Sequence, residues 1–147
     1  MTHNDLVKIA EKWLVRSVGC GAVIAELKSV GFEIPDSIGW KNGASILVEC
    51  KLSRADFLAD AKKPFRCEPD RGMGNFRFYM CREGMVNPDE LPAKWGLIWV
   101  NGKGKARQVV GPRGNIWNHQ KEYFFAEKNI EAEQSLLVSA LRRCQGR

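Results

Sequence analysis

Long apolar runs are absent from this sequence, as are internal repeats and low-complexity segments. No stretch approaches the roughly 18 apolar residues that a membrane-spanning helix requires. The first residues, Met1 to Asp5, also lack the basic-then-apolar layout of a secretory signal peptide. We therefore expect a cytoplasmic protein, of a bacterium or a phage-infected cell, with no membrane partner.

Histidine is scarce, and the cysteines form no CxxC pair. Only His3 and His119 are present, and the cysteines are scattered and odd in number. Structural zinc sites need four Cys or His ligands at close spacing, so we expect no zinc site. In a reducing compartment the cysteines should be free thiols. They are Cys20, Cys50, Cys67, Cys81 and Cys144.

What the sequence does contain is enough apolar material for one basic domain. Of its 147 residues, 44% are hydrophobic and 27% are charged, which is typical of folded proteins. We expect a single domain over residues 1–147. Lys and Arg total 23 against 17 Asp and Glu, which gives a net charge of +6. This excess favours a polyanionic partner such as nucleic acid, although solubility alone can explain it.

Three segments are predicted to be helical. The first runs from a cap at Asn4 or Asp5 to about Val18, with its apolar residues at helical spacing. The second is capped by Ser53 and runs to about Lys63, just before a proline. The third spans residues 126–143.

The remaining apolar segments are predicted to be strands, which makes the domain mixed α/β. Residues 22–28 also fit a helix, but their β-branched pair favours a strand. Asn42-Gly43 is a strong hairpin signal between two of the strands. Residues 44–51 are apolar on both faces until Glu49, which is typical of a central strand. The other strands are 32–40, 75–82, 96–100 and 105–110, the last two forming a hairpin.

A carboxylate pair and a lysine are predicted to lie together near the Asn42-Gly43 hairpin. Glu49 and Lys51 are two residues apart on a strand, so their side chains project to the same side. The hairpin brings Asp36 back beside Glu49. Carboxylate oxygens are preferred ligands of Mg²⁺, and a lysine can stabilise charge developing on a phosphate. An E-x-K by itself is more often a surface ion pair, so the order of the surrounding elements carries most of the argument.

Pro35-Asp36 followed by Glu49-Cys50-Lys51, inside the element order αβββαβ, resembles the PD-(D/E)XK nuclease superfamily with its restriction-endonuclease-like fold. The resemblance covers about residues 4–82. Its most specific part is the segment 49–66, ECKLSRADFLADAKKPFR. That segment is similar to small bacterial and phage proteins, including MmcB-like DNA repair proteins. The segment 89–97 resembles small phage and prophage proteins of this kind.

The resemblance implies a Mg²⁺- or Mn²⁺-dependent deoxyribonuclease that hydrolyses phosphodiester bonds. Asp36 and Glu49 would bind the metal, and Lys51 would be catalytic. A further acidic ligand is expected, either Glu26 at the end of the first strand or Glu11 on the first helix. We favour Glu26 because it lies on a strand beside Asp36. Many relatives of this fold act as dimers, so a homodimer is possible.

Two groups of basic residues are candidates for DNA contact. Lys62 and Arg66 follow the E-x-K strand and could line the site, as could Asp60. Lys103, Lys105 and Arg107 alternate on a predicted hairpin arm, in a stretch from 91 to 121 that has no acidic residue. Such an arm can hold phosphates without reading bases, but lysines on an edge strand also serve to block aggregation.

Two other classes of function stay open at this point. The same fold could be a DNA-binding module too weak to cut, acting in replication, repair or counter-defence. Alternatively, its basic surface could bind an acidic protein. Metal binding separates the nuclease and the DNA-binding module from a protein that binds an acidic partner. DNA cleavage separates the nuclease from the module.

Overall fold

The computed structural model describes residues 1–27, 33–115 and 117–147. They form one six-stranded mixed sheet with helices on both faces. The helices are α1 (His3–Trp13, continued by a π-helical turn Leu14–Val18), α2 (Arg54–Asp60), α3 (Pro64–Cys67) and α4 (Ile130–Cys144). The strands are β1 (Ala22–Ala25), β2 (Ser37–Lys41), β3 (Ala44–Cys50), β4 (Phe76–Arg82), β5 (Gly96–Val100) and β6 (Ala106–Val110).

The strands lie in the sheet in chain order. β1, β2 and β3 are antiparallel neighbours, β3, β4 and β5 are parallel, and β6 is antiparallel to β5. The α2–α3 segment makes the crossover between β3 and β4. The predicted αβββαβ order is confirmed, with the hairpin and the C-terminal helix after it. No helix among the described residues is long and apolar enough to cross a membrane.

All three predicted helices differ from the structure at a boundary, and α4 begins at Ile130, four residues later than expected. The first helix is capped by Thr2 rather than by Asn4 or Asp5, because Asp5 takes the third position of a capping box and accepts from the Thr2 backbone. The second helix does begin at Ser53, whose hydroxyl accepts from the Asp56 N–H. It ends at Asp60, three residues early, and α3 starts anew with Pro64 at its first position.

Alternate residues of β3 enter two separate cores. Ile46 and Val48 pack toward α1, whereas Leu47 packs on the opposite face against α4. This alternation sends Glu49, like Leu47, to the α4 face of the sheet. A strand with both faces covered is the central strand that the apolar run predicted.

One end of α4 is anchored by a buried ion pair. The Glu133 carboxylate accepts from Lys128 Nζ at 2.9 Å, from Ser45 Oγ at 2.8 Å and from the Gly74 N–H at 2.8 Å. Lys128 also donates to Asn75 Oδ1 at 2.8 Å. We call Ser45, Asn75, Lys128 and Glu133 the helix anchor. It fixes the start of α4 over the start of β3.

Candidate metal centre

The Asn42-Gly43 turn fixes the strand register that builds the site. Asn42 and Gly43 have φ angles of 51° and 78°, the left-handed pair that a two-residue hairpin requires. The register pairs Ser37 with Val48, which sets the preceding Asp36 opposite Glu49. The prediction that Asp36 lies beside Glu49 therefore follows from the turn.

The strand register also places a third carboxylate beside Asp36 and Glu49. Ala25 pairs with Ser37, so Glu26 comes opposite Asp36 on the other side. Glu49 itself pairs with Tyr79 of β4. Three carboxylates, Glu26, Asp36 and Glu49, thus lie at the adjacent ends of three neighbouring strands, β1, β2 and β3.

His3 joins this row from the first turn of α1. Its Nε2 lies 3.0 Å from Glu26 Oε1 and 3.3 Å from Asp36 Oδ1. One ligand atom from each of the three residues falls within 4.8 Å of the others, a grouping able to hold a metal ion. The carboxylates suit Mg²⁺ and Mn²⁺ alike, whereas the imidazole favours Mn²⁺ over Mg²⁺. The sequence argument missed His3, which belongs to no motif and approaches only through the packing of α1.

The backbone around Asp36 and Glu26 holds these carboxylates in place. Asp36 Oδ2 accepts from the Cys50 N–H at 2.7 Å, which leaves Oδ1 facing His3. Glu26 has a backbone φ of 51°, which is unusual for a residue other than glycine. Its N–H donates to the Pro35 and Asp36 carbonyls. Such local strain is common at functional sites.

Glu49 is the most confined carboxylate of the row. It is only 4% exposed, and burial raises its pKa well above the usual range, with the neighbouring Asp36 carboxylate adding to the effect. Arg66 Nη2 lies 3.1 Å from Glu49 Oε1 and opposes this rise. Among the described residues Nη2 makes no hydrogen bond, so the contact is an ion pair only. Arg66 therefore supplies charge to Glu49 without a directed hydrogen bond.

Behind Glu49 lies a buried group that we call the Arg66 network, made of Glu33, Glu49, Lys51, Asp60, Arg66 and Tyr79. Arg66 donates to Asp60 at 2.7 Å and to Glu33 at 2.6 Å. Lys51 Nζ donates to the other oxygen of Asp60 at 3.0 Å. The Tyr79 hydroxyl also donates to Asp60. Burial by itself would raise the pKa of Asp60, but Arg66, Tyr79 and Lys51 together hold that pKa below its usual range.

Buried cations are fewer than carboxylates at this edge among the described residues. Glu33, Asp36, Glu49 and Asp60 face three buried cations, Lys51, Arg66 and Arg77, the last through its electrostatic interaction with Glu33. A further cation, the half-exposed Lys63, reaches Asp60 at 3.2 Å from outside. Asp36 and Glu49 are close enough to share a hydrogen-bonded proton. A donor set with surplus carboxylates and facing oxygens fits a divalent cation.

The structure thus brings together most of the predicted site. Asp36 and Glu49 are neighbours, and Glu26 rather than Glu11 joins them, since Glu11 lies two turns further along α1. Lys51 lies on the same face as Glu49 and is tied to it through Asp60 and Arg66. The role of Asp60 as the partner of Lys51 was open in the sequence. A signal existed, because Asp56 and Asp60 are four residues apart on a helix, and like charges at that spacing are unfavourable unless a cation lies nearby.

Three of the predicted nucleic-acid contacts need correction. The Arg66 guanidinium is 4% exposed and paired with three carboxylates, so it lines the site from inside and offers no free surface to a phosphate. Lys103 and Lys105 lie in the β5–β6 turn, where both backbone N–H groups donate to Asn101 Oδ1. The expected row of three on one strand face therefore does not form.

The other two predicted contacts are compatible with exposure. Lys62 is exposed after α2. Arg107 is exposed on β6, within 3.6 Å of Glu83 and over the Trp99 ring. Trp117, in the same basic stretch of the sequence as Arg107, packs against Phe76 and Phe78. The side chain of Trp40 is half-buried beside the α4-face core.

Comparison with known proteins adds evidence for the fold. No protein-family model matches the chain, and neither does any curated protein. A solved structure of a protein of unknown function from Silicibacter pomeroyi is similar, with a TM-score of 0.66 and 21% sequence identity. The match covers 99% of this chain and 90% of the other. It shows that the two chains share this mixed α/β fold.

Proposed function

We propose that this protein is a Mg²⁺- or Mn²⁺-dependent nuclease that hydrolyses phosphodiester bonds in DNA. The observation that carries the proposal is the row of Glu26, Asp36 and Glu49 on three neighbouring strands, with a buried lysine on the same face. The resemblance to PD-(D/E)XK nucleases supports it, and so does the net charge of +6. A role in phage biology, DNA repair or recombination rests on that resemblance alone.

The residues of the candidate site would have different roles in metal binding. Asp36 and Glu49 would hold the metal, with Glu26 and His3 completing its outer side. A bound divalent ion would supply Lewis-acid polarisation of the scissile phosphate and a lowered pKa for attacking water. Asp36 keeps its orientation through the Cys50 N–H, and Glu49 is supported by the charge of Arg66.

Lys51 would stabilise the charge that develops on the phosphate. Its ammonium is held by Asp60, which Arg66 and Tyr79 fix in turn. Such preorganisation gives the cation a defined position before substrate arrives. Asp60 is thus a positioning residue that acts through Lys51.

One observation favours the alternative of a DNA-binding module that does not cut. The Arg66 guanidinium already lies 3.1 Å from Glu49 and partly neutralises it. A metal would have to compete with this cation for the carboxylate. Binding of DNA without cleavage in any metal would support the module.

Incubation with supercoiled, single-stranded and branched DNA, in Mg²⁺, Mn²⁺ or EDTA, tests the proposal. We expect cleavage in Mg²⁺ or Mn²⁺ and none in EDTA. Asp36→Ala should abolish cleavage and Mn²⁺ binding by calorimetry, with a cooperative melting transition retained. Lys51→Ala should abolish cleavage but keep Mn²⁺ binding. Cleavage by Asp36→Ala at the wild-type rate, or in EDTA, would refute the proposed site.

A further inference from the structure

A basic groove opens directly beside the candidate metal centre. It has a volume of about 500 Å³. One wall is formed by Glu26 and Leu27, which directly follow β1, and the other by the C-terminal part of α4 and the residues just after it. That second wall contributes Ser139, Arg142, Arg143 and Arg147. Glu26 thus belongs both to the metal-binding group and to the groove.

The end of α4 is folded so that its arginines converge. Gly146 has a φ of 72°, a left-handed conformation that ends helices. Its N–H donates to the Arg143 carbonyl at 3.1 Å, and the Arg147 N–H donates to the Arg142 carbonyl at 2.9 Å. This pair of bonds is the Schellman motif, which turns the chain back over the helix end. Arg147 is therefore held beside Arg142 and Arg143.

The helix anchor determines where this basic end lies. Nine residues separate Glu133 from Arg142, about 14 Å along a helix at 1.5 Å per residue. Four residues separate Ser45 from Glu49, about 13 Å along a strand at 3.3 Å per residue. Because Glu133 is fixed over Ser45, a helix of this length places its arginines at the edge that carries the carboxylate row.

The three guanidinium groups are available to a ligand. All three residues are exposed, and none forms an ion pair with a carboxylate of a described residue. Cations at a helix C-terminus are common because they complement the helix dipole, and that would be their whole role on an isolated helix. Here they face a groove whose opposite wall contains Glu26, and Glu26 lies next to Asp36. Guanidinium groups are also well suited to bidentate contact with phosphate oxygens.

We propose that this groove binds the phosphodiester backbone of DNA next to the bond that is cut. The inference rests on the proposed function and names its substrate-binding surface. The arginines would hold phosphates that flank the scissile one, while the carboxylate row holds the metal. DNA would then run along the end of α4 rather than along the β5–β6 turn, which the sequence offers as one candidate surface.

Two charge-matched triple variants test this placement. Arg142→Gln, Arg143→Gln and Arg147→Gln together remove three positive charges from the groove. Lys103→Gln, Lys105→Gln and Arg107→Gln remove three from the β5–β6 region and serve as the control. Binding to a labelled duplex is measured by fluorescence anisotropy in EDTA, where no cleavage occurs, over a series of salt concentrations. Mn²⁺ binding is measured separately by calorimetry.

We expect the groove variant to bind duplex DNA at least tenfold more weakly. Its slope of log K against log salt should flatten by about 0.9 for each phosphate that the protein no longer neutralises. The control should change affinity by less than threefold, and both variants should bind Mn²⁺ like the wild type.

The proposal that this groove binds DNA is refuted if the groove variant keeps the wild-type affinity and salt slope. It is also refuted if only the control variant binds DNA more weakly. In either case the proposed nuclease survives if the wild type still cuts DNA in a metal-dependent way. A wild type that binds no DNA would overturn the groove and the proposed function together.

Discussion

Two buried ionic groups lie under the same face of the sheet, and they differ in how fully their carboxylates are paired with cations. In the helix anchor one carboxylate, Glu133, meets one cation, Lys128, and both Glu133 oxygens accept hydrogen bonds. In the Arg66 network and the adjoining Asp36, carboxylates outnumber buried cations among the described residues. Glu49 there has an ion pair without a hydrogen bond from Arg66.

The contrast separates a structural role from a functional one. Breaking a buried and satisfied ion pair leaves an uncompensated charge and is strongly destabilising. Carboxylates held close together without enough counter-charge instead lower stability until a cation binds. The helix anchor should therefore contribute to the free energy of folding, and the carboxylate row should contribute to metal binding.

The same substitution in both groups tests whether their roles differ, and Glu49→Gln is expected to have the larger effect. This change removes one of the crowded negative charges. We expect cleavage to fall by at least ~10³-fold, since a metal supplies several kcal/mol to such transition states. The melting temperature in EDTA should rise, and its increase on adding Mn²⁺ should disappear. A melting temperature below that of the wild type would place Glu49 with the structural pairs.

Glu133→Gln is the matched change in the helix anchor. Ser45, Gly74 and Lys128 all donate to Glu133, so an amide nitrogen there must face a donor. Together with the broken ion pair, we expect a loss of about 3 kcal/mol in the free energy of unfolding, measured by urea denaturation. Mn²⁺ affinity should stay within a factor of two. A variant as stable as the wild type would show that the anchor contributes nothing net.

Asp60→Asn probes the link between the buried ions and the chemistry. It keeps the size of the side chain but removes the charge that holds Lys51. We expect the cleavage rate to fall on the order of 10–100-fold, as for other groups that orient a functional residue. The pH dependence of cleavage should shift relative to the wild type, and Mn²⁺ affinity should change little. An unchanged pH profile with only a lower melting temperature would make Asp60 merely structural.

His3→Ala should have the smallest effect of these changes. His3 is half-exposed and contacts the row from its outer side. Because imidazole is a better ligand for Mn²⁺ than for Mg²⁺, we expect Mn²⁺ affinity to fall by roughly tenfold and Mg²⁺ affinity to stay unchanged. Thr2 caps α1, so the helix itself should be unaffected. Equal losses for both ions would indicate a general change in the site.

Local patterns carried much of the fold and part of the site. Asn42-Gly43 specified a two-residue hairpin, and that turn sets the register that pairs Asp36 with Glu49. The apolar run before Glu49 identified the central strand. Ser53 marked the start of α2 because a hydroxyl at that position can accept a backbone N–H. Each of these rests on interactions between residues close in sequence.

Only the tertiary structure decided how distant residues meet these local elements. His3 reaches Glu26 and Asp36 because α1 packs across the sheet, and no spacing in the sequence encodes that approach. The sequence makes Arg66 a candidate for DNA contact, but three carboxylates from separate segments surround it. The sequence by itself determined the element order and the Asp36–Glu49 pair, since turns and strand alternation act locally. The partners of those carboxylates depend on long-range packing, which only the folded chain defines.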